Sequence, residues 1–92
     1  MSDEKQTLED IYYERMMTEP IGLREFMQEV EEGKHGSFSV EERKDFLLKM
    51  EQVYIENIYL KAQEVPGLQN EIEERIEETR TYIQDLIKRF VI

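Results

Sequence analysis

From residue 72 to residue 90 the side chains Ile72, Ile76, Thr79, Ile83, Leu86 and Phe90 recur at spacings that alternate between four and three, a heptad seam with one polar interruption. A strand cannot hold such a stripe on one side, because successive strand residues point to opposite faces. The seam therefore predicts a helix over residues 68–90, helix four. Immediately before it, Pro66-Gly67 leaves room only for a tight corner. Proline also biases Val65 away from helical angles, so the preceding helix must end near Glu64. Two long helices joined so briefly are expected to fold back as an antiparallel αα-hairpin.

The helix before the corner, helix three over residues 40–64, has the clearest start signal in the chain. Ser39-Val40-Glu41-Glu42 is a full capping box: the Ser39 hydroxyl can accept the N–H of residue 42 while the Glu42 carboxylate reaches back to the N–H of Ser39. Its apolar residues cover more than one side. Leu47, Met50, Tyr54 and Ile58 form one stripe, Phe46, Val53 and Leu60 widen it, and Ile55, Tyr59 and Ala62 lie well around the cylinder. A helix half surrounded by water has a single apolar face, so helix three is expected at the centre. It should grip helix four on one side and, on another, either the N-terminal helices or a second subunit.

Two shorter helices precede it. Helix one, residues 7–17, has Thr7 as N-cap and Asp10 three residues on, with Leu8, Ile11, Tyr12 and Met16 on one face. Helix two, residues 19–32, is expected to be capped by Thr18 and to carry Pro20 in its first turn, where the missing N–H costs nothing. Leu23, Phe26, Met27 and Val30 form its stripe, and Gly33 is a natural stop. The fold class expected is all-α, a small helical bundle forming one domain over residues 1–92.

At 92 residues such a bundle has a thin stability margin as a monomer. Small scaffolds make up the difference with disulfides, a metal or oligomerisation. The chain has no cysteine and one histidine, His35, so neither a disulfide nor a structural zinc is expected, and a homodimer is. Asp and Glu number 22 against 12 Lys and Arg, a formal net charge of −10. Direct nucleic-acid binding, which draws on clustered cations, is not expected, nor is an anionic membrane surface. The apolar fraction of 39% falls in periodic stripes and argues against disorder. No apolar run reaches membrane-spanning length, and Met1-Ser2-Asp3-Glu4-Lys5 opens without an apolar signal core, so a cytoplasmic protein is expected.

Routes to catalysis each lack a component. Glu32 and His35 form an ExxH pair, half the ligand set of a di-iron bundle, but Gly33 interrupts it and no second copy exists in the chain. His35 is expected as a solvent-exposed loop side chain. Ser37 is the nearest hydroxyl to it, with no third group to orient a nucleophile. No phosphate-binding glycine loop is present. The chain is read as a non-enzyme, without cofactor or metal.

What is left is recognition. Tyr13 and Met17 lie off the main face of helix one, and with Tyr59 they are the apolar candidates for a partner-binding surface. Glu73, Glu74 and Glu77 belong to a carboxylate row on helix four whose simplest role is to complement the helix dipole and keep the face solvated. Phe46, Met50, Val53, Ile58, Ile72, Ile76, Ile83, Leu86 and Phe90 are expected to form the core and a dimer seam. The function expected is a protein–protein interaction module, an adaptor or regulator of another protein. The alternative is an acidic, phage-type inhibitor or DNA mimic whose carboxylates block a nucleic-acid site on a host protein.

Overall fold

The computed structural model describes residues 6–91, so the expectations for residues 1–5 and for residue 92 fall outside it. The fold is all-helical, with 81% of the chain in helix and no strand among the described residues. In order come α1 (Leu8–Thr18), α2 (Leu23–Glu31), α3 (Val40–Glu64), a 3-10 turn (Pro66–Glu71) and α4 (Ile72–Phe90).

The start signals of α1 and α3 act as their residue types require. The Asp10 N–H donates to Thr7 Oγ1 at 3.2 Å, and the Ser39–Glu42 box closes in both directions, at 2.9 and 3.1 Å. Gly33, at a φ of +82°, ends α2 in a Schellman arrangement, with its own N–H on the Val30 carbonyl and that of Lys34 on the Glu29 carbonyl.

Two boundaries differ from expectation. Thr18 does not cap α2; it closes α1, where its hydroxyl donates to the Glu14 carbonyl at 3.2 Å. Pro20 forces Glu19 into extended backbone, so the chain crosses a short connector and α2 begins only after Gly22, four residues later than the sequence signals suggest. The corner after α3 is likewise longer than Pro66-Gly67. Proline sits in the first turn of a 3-10 segment that runs to Glu71, and no side chain caps α4, which starts at Ile72 instead of Leu68.

The first turn of α3 meets the last turn of α4, where Arg43 Nη1 donates to the Phe90 carbonyl at 3.1 Å. Helix α1 packs on α3, and α2 packs chiefly on α4. The rings of Tyr12, Phe26 and Phe46 join the three N-terminal helices, with centroids 5.0 to 5.8 Å apart. Around them Met27, Val30, Leu47, Met50, Ile83 and Leu86 are fully buried. Each contributes roughly 1.5–3 kcal/mol through removal from water. Ile87, which lies beside the heptad seam and not in it, is buried as well.

This core occupies one end of a long molecule. The extents are 46 × 30 × 22 Å, and α3 alone runs about 37 Å at the standard rise per residue. Beyond Met50, the only buried residue of α3 is Ala62. The far half of the α3–α4 pair thus projects past α1 and α2 as two helices with no third layer.

Candidate interaction surface

The projecting half carries apolar side chains that the chain does not cover. Tyr59 is 49% exposed, Leu60 58% and Val65 49%, while Val53, Ile55, Ile58, Leu68 and Ile72 are only half-buried. Of the core and seam expected from sequence, Phe46, Met50, Ile76, Ile83, Leu86 and Phe90 are buried; Val53, Ile58 and Ile72 lie in this partly open half. The physical reason is the reach of α1 and α2. Eleven and nine residues span too little length to cover a helix of 25.

Between α3 and α4 in this half lies a shallow groove of about 320 Å³, lined by Tyr54, Ile58, Arg75, Glu78, Thr79 and Tyr82. It continues toward the 3-10 turn past Asn57, Lys61 and Leu68. At its inner end the Tyr12 and Tyr54 hydroxyls stand 3.4 Å apart, linking α1 to α3. Burial pushes the Tyr54 phenol above its ordinary pKa, and the Tyr12 hydroxyl adds to the shift. Arg75 donates to Glu71 at 3.3 Å along the exposed side of α4.

Tyr13 and Met17 are 44% and 87% exposed on α1, with Tyr13 within electrostatic reach of Lys49 and Tyr54 on α3. Glu73, Glu74 and Glu77 are all exposed, and no hydrogen bond or ion pair engages them among the described residues. Glu74 and Glu77 border a shallow depression with Glu78, Thr81, Tyr82 and Asp85. Tyr13, Met17, Tyr59 and the three glutamates therefore do not converge on one site. Asp85 and Arg89, spaced for an i,i+4 pair, do not form one; the Arg89 guanidinium lies 5.5 Å over the Phe90 ring.

The most ordered polar cluster is one the sequence does not reveal. Glu29 on α2 accepts from Arg15 Nε and Nη2 at 3.3 and 3.1 Å, and its Oε1 lies 2.9 Å from His35 Nε2. His35 is thus a partly buried side chain, 18% exposed with its ring tilted against Phe26 at 5.2 Å, instead of the solvated loop residue expected. Its partner is Glu29, six residues back, while Glu32 of the ExxH pair faces Lys34 at 3.3 Å. Arg15 and His35 hold the Glu29 carboxyl below its ordinary pKa. Among the described residues no group of three or more His, Cys, Asp or Glu side chains is placed to hold a metal ion. Nor is any helix among them long and apolar enough to cross a membrane.

The chain matches no protein-family model, no curated protein and no solved structure.

Proposed function

We propose that this chain is a non-enzymatic protein–protein interaction module, an adaptor or regulator of another protein, that works as a homodimer built on the antiparallel hairpin of α3 and α4. One observation carries the reading: the core is confined to one end, and the projecting half leaves Tyr59, Leu60 and Val65 about half-exposed and Ile55 and Ile58 only half-buried. Apolar side chains left uncovered in such number on a two-helix projection favour an interaction site there. The exposed side chains Tyr13 and Met17 of α1 then take the regulated partner. Sedimentation of the purified protein at tens of micromolar tests the first half of the reading, with a dimer expected. Capture from the native host followed by mass spectrometry tests the second, with loss of the captured partner on Met17→Glu.

A second reading is favoured by the exposed, unpaired Glu73, Glu74 and Glu77: an acidic inhibitor that occupies the nucleic-acid site of a host protein. It requires that binding to the target weaken with salt and with added DNA. Insensitivity to both removes it.

A further inference from the structure

Self-association of a chain with net charge −10 needs a face on which like charges do not meet. The outer side of α4 fails that condition, presenting Glu74, Glu77 and Asp85 together, with Glu78 at its border with the groove. The groove between the projecting halves of α3 and α4 is different. Toward the 3-10 turn it is lined by Lys61 and by Arg75, which also pairs with Glu71, and nearer the core by Glu78, Thr79, Tyr54 and Tyr82, with Ile58 bordering both parts. Cations thus line the outer part of the groove and an anion the inner part, with Ile58 beside the junction.

That order is self-complementary under one symmetry only. If two copies stack these faces about a two-fold axis parallel to the helix pair, each cation meets the same cation of the other copy. If the axis lies across the helices, the copies run in opposite directions and the cationic end of each covers the anionic end of the other. Arg75 and Glu78 are one helical turn apart on α4, so a reversed copy sets each Arg75 against the partner's Glu78. Ile58 lies opposite that stretch of α4, touching both parts of the groove, and so falls near the axis.

We propose that the α3–α4 groove centred on Ile58 is the homodimer interface, with a second copy of this chain seated in reverse so that Arg75 and Glu78 of the two copies pair reciprocally. This rests on the dimer reading above and adds its face, direction and register. The second copy supplies the missing layer, turning two exposed helix pairs into a four-helix bundle whose inner residues are Tyr54, Ile58, Leu68 and Tyr82. The two ion pairs select the reversed direction, and the apolar centre supplies the adhesion.

Charge reversal tests the idea because each swap is felt at both ends of a two-fold interface. Arg75→Glu and Glu78→Lys are expected each to raise the dimer dissociation constant roughly tenfold or more. The R75E/E78K double variant restores it, with the net charge of the natural chain unchanged. Glu78→Lys is the sharper single change, since it lowers the overall repulsion yet is expected to weaken association. Both side chains are exposed, and circular dichroism of each variant verifies that the helices are intact. As a second measurement, Ile58→Cys introduces the only thiol and is expected to form an intermolecular disulfide under mild oxidation. A dimer indifferent to both swaps, or one whose Ile58→Cys form does not cross-link, overturns this interface and leaves the dimer reading standing. A natural chain that sediments as a monomer overturns both.

Discussion

Arg43 and Phe90, 47 residues apart, are joined where the Arg43 guanidinium caps the last turn of α4 at the Phe90 carbonyl. The same side chain lies 3.5 Å from Glu31 at the end of α2, so one cation gathers the ends of two helices onto the start of a third. Helix C-termini carry unsatisfied carbonyls and partial negative charge, which is why a cation serves there. Arg43→Ala is expected to lower stability by about 1–2 kcal/mol. The check is a urea titration, in which the midpoint falls while the slope stays constant.

Ile83 is completely buried at the centre of the seam. Ile83→Asp places an unpaired carboxylate there and is expected to cost about 3–5 kcal/mol, enough to abolish a cooperative thermal transition in a chain this small. Unchanged melting would show that α4 does not pack through this residue.

The Ser39–Glu42 box is local and exposed, so its contribution is separable from the core. Ser39→Ala is expected to lower stability by about 1 kcal/mol. Glu42→Gln keeps the reciprocal acceptor and is expected to cost less, as read from paired thermal melts.

Glu29 gives the acid limb of stability a defined source. Its folded-state pKa lies below the unfolded value, chiefly because Arg15 donates to it and then because His35 does. Its contribution is therefore complete above the ordinary glutamate pKa near 4.5 and disappears as the pH falls through the lower, folded value. Glu29→Gln is expected to flatten stability against pH in that acid range. An unaltered profile would mean that the cluster does not couple to folding.

Tyr54 supplies the opposite limb. Burial raises its phenol above 10.0, so the stability it contributes is present below that pH and is lost as alkali forces the phenolate. A late step is expected in an absorbance titration, and Tyr54→Phe is expected to delete it.

How much of this was legible follows from the range of each interaction. The α3 start, the Gly33 stop and the Leu23–Val30 stripe rest on neighbours within one helical turn, and sequence spacing captures them. The Thr18 error came from two local preferences in competition: a threonine that can cap the next helix can also close the previous one, and Pro20 decided for the latter. The Arg15–Glu29–His35 cluster joins three elements and leaves no periodic trace, so only the fold brings it together. Ile87 escaped the heptad reading because α2 widens the covered face of α4 beyond a two-helix seam. The exposed apolar residues were the least legible. Tyr13 and Tyr59 recur at helical spacing like the core, and only the packing of the helices leaves them about half-exposed.

A core set at one end also grades the molecule by how readily its backbone opens. Amide protons near fully buried Leu47 and Ile83 are expected to exchange only on global unfolding, and those around Leu60 and Leu68 on local fraying of the tip. Any molecule that covers the tip slows exchange there selectively. Deuterium uptake can therefore map an occupant before that occupant has been identified.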